Sequence, residues 1–201
     1  MSPSLKIRAA EASDALFAAP LICLSLHELA DHLFQQNTDA IEATIAKLFV
    51  RNGGRFGYEY AFVAEHENEP VGLLIACRGK DVNRLNLETI PHLIAVLGLV
   101  KAIGFVYRAI NLPGEKEAED DEFFISNLGI LPSMQGRSFG SQMLMYAEQL
   151  ACENDLKKCS LIVNWNNTNA HRLYERIGYQ VVETVQDKNE TLGYYRMVKV
   201  L

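Results

Sequence analysis

The sequence predicts an α/β domain of the α+β kind, on three observations. Two β-rich runs, Tyr60 to Glu65 and Val71 to Cys77, are joined by the polar segment His66-Glu-Asn-Glu-Pro70, the pattern of an antiparallel hairpin. A third apolar run, Phe123 to Ile130, leads through a glycine-bearing turn into a helix, with Phe139, Met143, Ala147, Leu150 and Ala151 at helical spacing. The 201 residues are 49% hydrophobic and 22% charged, which suffices for one sizeable core. A single domain over 1–201 is the default, with a helical insertion at about 79–121.

Leu5 to Arg8 reads as a short strand. Ser13-Asp14 supplies a helix N-cap signal before Ala15 to Phe34, and Pro20 inside that pattern predicts a break into two helical pieces. Asp39 with Glu42 three residues on suggests a capping-box start. Ile41, Ile45, Leu48 and Phe49 then line one face of a helix that ends near Gly53-Gly54. His66 in the hairpin turn reads as a solvated loop residue.

The insertion contains a long apolar stretch, Ile90 to Ile110. Its length approaches that of a membrane span, about 20 residues. Lys101 near its centre would cost about 2.5–3.5 kcal/mol in a bilayer. A span would also divide the hairpin from the glycine-bearing turn. One or two helices packed on the sheet, over the cleft or at a subunit interface are expected instead, and the last placement admits a homodimer. Gly114 to Glu122 reads as an acidic, mobile loop. After the helix ending at Cys152 come a turn at Asn154-Asp155 and a strand, Cys159 to Trp165. Next is a helix, Thr168 to Ile177, with Ala170, Leu173, Tyr174 and Ile177 on one face and Gly178 as its cap. Tyr179 to Thr184 and Tyr194 to Leu201 are closing strands around the polar turn Gln186 to Glu190.

Charge and cysteines exclude several classes. A net charge of −6 without a Lys/Arg stripe argues against a nucleic-acid partner. Cys23, Cys77, Cys152 and Cys159 form no C-x-x-C pair and no metal-like spacing with histidines, so no metal is expected. They read as reduced thiols of a cytoplasmic protein. The N-terminus lacks the apolar core of a signal peptide.

The stretch Asn127 to Ser141 carries the chemistry. A strand that turns into a helix through glycines leaves backbone N–H groups unpaired at the positive end of the helix dipole, a seat for phosphate oxygens. Neither the Walker pattern nor the dinucleotide fingerprint fits it. Gln135-Gly-Arg-Ser-Phe-Gly140 instead resembles the pyrophosphate loop of the GNAT acetyltransferase superfamily, Q/R-x-x-G-x-G/A. Ser138 stands at the usual middle glycine, where a positive φ would be costly for serine. Val163 to Tyr179 resembles the second signature of that family, V-x-x-x-N-x-x-A-x-x-L-Y-E-x-x-G-F. Val163, Asn167, Ala170, Leu173-Tyr174-Glu175 and Gly178 match, and Tyr179 replaces phenylalanine. Ile7-Arg8-x-Ala10-x-x-x-Asp14 resembles its common opening.

The resemblance implies a mixed, mostly antiparallel central sheet flanked by helices, splayed between the fourth and fifth strands, with acetyl-CoA entering the split. Its pantetheine arm would pair with the backbone of Leu128, Gly129 and Ile130, where an N–H would also receive the developing oxyanion. Its pyrophosphate would rest on the N–H groups of Gln135, Gly136, Arg137, Ser138, Phe139, Gly140 and Ser141. Asn167 would bond the cofactor, cap its own helix, or both. Tyr174 takes the place of a tyrosine that protonates the leaving sulfur, or is a core aromatic. The base stays open. By period-2 alternation Glu122 shares a face with Phe124, Ser126 and Leu128 and would reach the cleft, or it is an exposed loop acid. His27 is a second candidate base, or a packed or surface histidine. The resulting expectation is an N-acetyltransferase acting directly on an amine of a small molecule or peptide. A non-catalytic CoA-binding sensor, or a different acyl donor, is the alternative.

Overall fold

The computed structural model describes residues 5–114, 116–186 and 192–201. The hairpin forms from strands β2 (Ala61–His66) and β3 (Glu69–Arg78). Glu67 and Asn68 between them both take positive φ, 53° and 67°, as a two-residue turn matched to the strand twist requires. Leu73 and Ile75 of β3 face one layer of helices, and Leu74 and Ala76 face the other. Burial on both sides explains why this strand reads as a continuous apolar run.

Strands β1 (Lys6–Ala9), β4 (Phe123–Ile130), β5 (Lys158–Asn164), β6 (Gln180–Val185) and β7 (Tyr194–Val200) complete a seven-stranded sheet in the order β1-β2-β3-β4-β5-β7-β6. Every neighbouring pair is antiparallel except β4 and β5. This is the mixed, mostly antiparallel sheet that the sequence led us to expect. The turn anticipated over Gln186 to Glu190 lies, beyond Gln186, outside the described residues.

One face of the sheet carries helices α1 (Ala15–Leu26), α2 (Glu28–Phe34) and α3 (Thr38–Arg51). The other face carries α6 (Phe139–Glu153) and α7 (Thr168–Ile177). Buried Phe139, Met143 and Leu144 of α6 each contribute about 1.5–3 kcal/mol by leaving water. The opening of the chain is pinned to the first helix by Arg8, which donates to both carboxylate oxygens of Asp14 at 2.8 Å.

Three local expectations are corrected. Pro20 lies inside α1 and does not break it. It sits on the exposed side of the helix, as does Leu16, whose carbonyl has no helical N–H donor at position 20. The break falls at His27, where α1 and α2 meet at 103°. Asn37, not Asp39, caps α3, its side-chain oxygen accepting from Ala40 N at 2.9 Å.

The third concerns the acidic loop, whose described residues are tied down rather than loose. Glu117 is bidentate with Arg55 at 2.8 Å, Asp121 accepts from Lys158, and Ala118 is buried.

The apolar stretch expected as a helical insertion forms α4 (Val82–Leu97) and α5 (Leu99–Ile110), separated at Gly98 with φ 78°. Ala102 and Phe105 of α5 point inward, with Phe105 edge-on to Phe34 at 4.9 Å. Arg108 donates to the Leu33 carbonyl at the end of α2. The opposite stripe, Leu99, Val100, Ile103, Tyr107 and Ile110, is exposed. Among the described residues no single helix is long and apolar enough to cross a membrane.

Candidate active site

Strands β4 and β5 pair only at Phe123↔Cys159, Phe124↔Ser160 and Ile125↔Leu161. Pairing stops where a β-bulge interrupts the β3–β4 register, which steps from Ala76↔Ile125 to Ile75↔Asn127 and leaves Ser126 without a partner. A bulge bends and twists its strand. Here it turns the rest of β4 away from β5 and opens the sheet. The bulge also reverses which side each residue faces. Phe123 and Ile125 pack on the α6 side before it, and Leu128 and Ile130 do so after it. Strict alternation therefore fails at Ser126, and Glu122 and Leu128 do not share a face.

On the other side of β4, Gly129 lets α1 approach closely. A Cβ there would stand 3.0 Å from the Leu21 Cβ and carbonyl oxygen. Asn127 Nδ2 donates to Ser25 Oγ of α1 at 2.8 Å, and Ser126 Oγ donates to Asn127 Oδ1 at 3.0 Å. Arg55 donates to Ser126 Oγ at 3.0 Å while holding Glu117. Burial works against both charges of that pair, and their attraction outweighs it. The Arg55 guanidinium is raised and the Glu117 carboxyl is held below its usual range. This chain of bonds from the acidic loop to α1 braces the bulge. Its members are far apart in sequence, so nothing in the local pattern announced it.

A cavity of about 80 Å³ occupies the split. Ser25, Ser126, Asn127, Asn164 and Asn167 supply its neutral polar lining, and its titratable groups are His27 and Tyr174. Tyr174, on α7, is 8% exposed, and burial pushes its hydroxyl up to about 12. It is therefore protonated at neutral pH, a proton donor rather than an anion. None of the four cysteines lines the cavity. Cys77 and Cys159 are buried thiols pushed up by desolvation, to about 11 and about 12.

Beyond Ile130, a short 3-10 turn over Pro132–Met134 leads to the loop that starts α6. Gly136 takes φ 76° with open space where a Cβ would be, and Ser138 takes φ 65°, ψ 11°. Serine thus adopts the left-handed conformation that glycine would take freely, at about 1–2 kcal/mol. The backbone N–H groups of Gly136 through Ser141 donate to no backbone carbonyl among the described residues, whereas Gln135 N–H reaches Pro132 O and Gln142 N–H reaches Ser138 O. The Gln135 side chain folds back to donate to Ile130 O at 3.3 Å. Arg137 is exposed at the loop tip. Phe139 is buried in the core beside His66, so only its backbone faces the loop. Gly140 lies against Leu173 of α7.

Asn167 caps α7 through Oδ1, which accepts from Ala170 N at 3.2 Å, and its Nδ2 lies 3.0 Å from His27 Nε2. His27 has φ 49° and ψ −135°, a region costing a non-glycine residue on the order of 1–3 kcal/mol. Glu122 is elsewhere. Its carboxylate accepts from Arg196 and from Glu119 N, and it does not line the cavity. Among the described residues no cluster of three or more His, Cys, Asp or Glu side chains is placed to hold a metal ion.

The chain resembles solved acetyltransferases over nearly its whole length. An N-acetyltransferase from Staphylococcus aureus Mu50 superposes with a TM-score of 0.72 at 22% identity, over 96% of this chain and 99% of that one. An N-acetyltransferase from Thermoplasma acidophilum, solved with coenzyme A, superposes at 0.55 and 13% identity, over 98% and 99%. In sequence, the aminoalkylphosphonate N-acetyltransferase of Salmonella typhimurium is 27% identical over 150 residues, 74% of this chain and 82% of that protein. An uncharacterised N-acetyltransferase of Bacillus subtilis, YycN, is 32% identical over 74 residues, 37% of this chain and 47% of that protein. The model of the acetyltransferase (GNAT) family matches residues 25–179, a stretch that begins on α1 and takes in the split, the α6 loop and all of α7. The protein therefore belongs to the GNAT family and is an acyltransferase.

Proposed function

We propose that the protein transfers an acetyl group from acetyl-CoA directly to an amine of a small molecule or peptide. One observation carries this reading. The unpaired end of β4 and the protonated Tyr174 border one opening in the sheet, and the α6 loop with its free N–H groups continues from β4 and lies against α7 at Gly140 and Leu173.

The residues fit such a donor. The β4 edge at Leu128, Gly129 and Ile130 lacks a strand neighbour on the β5 side and suits an extended amide-bearing arm, added like a strand. Six successive N–H groups at the start of α6, with Arg137 beside them, suit a pyrophosphate. Bound acetyl-CoA supplies a thioester carbon for attack. A β4 N–H aimed at the carbonyl oxygen would stabilise the charge that develops there. Tyr174 holds the proton for the departing sulfur, and Asn167 fixes the start of the helix that carries Tyr174. With no cysteine in the cavity, transfer proceeds without an acyl-enzyme.

The acceptor enters from the α1–α2 side, where the lining is neutral and polar. The cavity, about 80 Å³, is of a size for an acetyl group and an amine tip. The names of similar proteins suggest aminoalkylphosphonates, polyamines and agmatine as the first amines to try. Thiol release from acetyl-CoA is measured with aminoalkylphosphonates, polyamines, agmatine, amino acids, aminoglycosides and N-terminal peptides, and the product is confirmed by mass. Release coupled to one of these classes is the predicted result. CoA binding without acetylation of any amine would favour a CoA sensor instead.

A further inference from the structure

The attacking nitrogen must shed a proton, and Glu122 is bonded to Arg196 outside the cavity. Of the groups that line the split, only His27 and Tyr174 titrate. Tyr174 is held protonated by burial. His27 remains.

Its placement is specific. The residue closes α1 and opens α2, its N–H bonded to Cys23 O at 3.2 Å and its carbonyl accepting from Ala30 N at 3.0 Å. Between these bonds the backbone takes a conformation natural to glycine, yet the sequence has histidine. The ring reaches the far side of the split, where Asn167 lies 140 positions away in sequence. Because Asn167 Oδ1 is committed to the Ala170 N–H, its Nδ2 faces the ring as a donor. The imidazole must then present a lone pair at Nε2 and carry its proton on Nδ1. Asn167 thus selects the tautomer as well as capping α7.

We propose that His27 is the general base of the transfer: the acceptor N–H displaces Asn167 Nδ2 from the Nε2 lone pair, which then takes the proton from the acceptor nitrogen. This deepens the acetyl-transfer reading and rests on it. The acceptor enters as the neutral amine, its extra proton left in solvent. The C–N bond forms, and one N–H proton passes to His27 Nε2. The C–S bond breaks as Tyr174 gives its proton to sulfur. The imidazolium then returns a proton to the tyrosinate through water, so the net products are the amide and the free thiol. Once protonated, Nε2 and Asn167 Nδ2 are both donors, so their contact re-forms only after the ring has discharged its proton.

The test compares wild type with His27→Gly and His27→Gln on an amine that wild type acetylates. Glycine removes the imidazole and suits the backbone at position 27, so the melting temperature should hold or rise. Glutamine keeps an acceptor for Asn167 but cannot serve as the base. Both should lower kcat by about 10²–10⁴-fold with the KM for acetyl-CoA unchanged, and added imidazole should restore part of the rate in His27→Gly. An unchanged kcat in either folded variant overturns the role of His27 while leaving acetyl transfer intact. Failure of wild type to acetylate any amine overturns the transfer reading itself, and the role of His27 with it.

Discussion

The carboxylate of Glu122 accepts a 2.5 Å bond from the guanidinium of Arg196, with side chains 4% and 9% exposed. The pair locks the end of the acidic loop to β7, which lies between β5 and β6 in the sheet. Removing one partner of such a pair leaves a charge buried alone, at about 3–5 kcal/mol. Glu122→Gln should therefore lower the melting temperature clearly. Assayed below that temperature it should keep kcat within a few-fold of wild type, because the carboxylate stands outside the cavity. A kcat loss of a hundredfold in a folded variant would return Glu122 to the chemistry.

Tyr174→Phe separates a proton donor from a packed ring. The hydroxyl has no hydrogen-bond partner among the described residues, and the ring packs near Tyr179 at 6.1 Å, a contact that phenylalanine keeps. Stability should change little. If the hydroxyl serves the departing sulfur, kcat and kcat/KM should fall together, near the low end of about 10²–10⁴-fold, with CoA affinity intact. Steady-state kinetics with a CoA titration checks this, and equal kcat would leave solvent as the donor.

Alkaline stability follows from the same burial. Tyr174 is raised to about 12, Cys77 to about 11 and Cys159 to about 12 by desolvation. Their unfolded forms ionise first, at about 8.5 for thiols and about 10 for tyrosine. The stability these groups add is complete below those values and is lost as pH rises toward the folded ones. The melting temperature should decline steadily from about pH 9 upward. Cys77→Ala should make the first part of that decline shallower, and identical slopes would show that Cys77 does not contribute.

The loop proposed to seat the pyrophosphate yields a paired prediction. Ser138→Gly relieves a left-handed serine and should stabilise the protein by about 0.5–1 kcal/mol, glycine's extra unfolded freedom offsetting part of the gain. It should still show a rise in melting temperature with CoA, since a ligand that binds only the folded state stabilises it. Gly140→Glu, whose side chain would press on Leu173 and put a carboxylate beside the pyrophosphate, should lose that rise. A normal CoA shift in Gly140→Glu would place the donor elsewhere.

What the sequence disclosed follows from how local each signal is. Phe123–Ile130 and Thr168–Ile177 were readable to the residue because apolar spacing and the Gly178 cap are written within the elements. Pro20 misled because its effect depends on which side of the helix meets water. Glu122 misled because alternation holds only until a bulge, and the bulge at Ser126 depends on pairing with β3. The acidic loop looked free because its partners Arg55, Lys158 and Arg196 stand 62, 37 and 74 positions away. The position of His27 in the site depends on a backbone angle and on a contact with Asn167 140 positions away, neither of which a local pattern reports.

The claim on which the rest depends is that donor and amine meet between β4 and β5. Amide hydrogen exchange with and without CoA tests it most directly. The account predicts added protection at Leu128–Ile130 and at Gly136–Ser141, with little change elsewhere. Protection concentrated instead in the apolar groove lined by Leu16, Val50 and Val96 would contradict it.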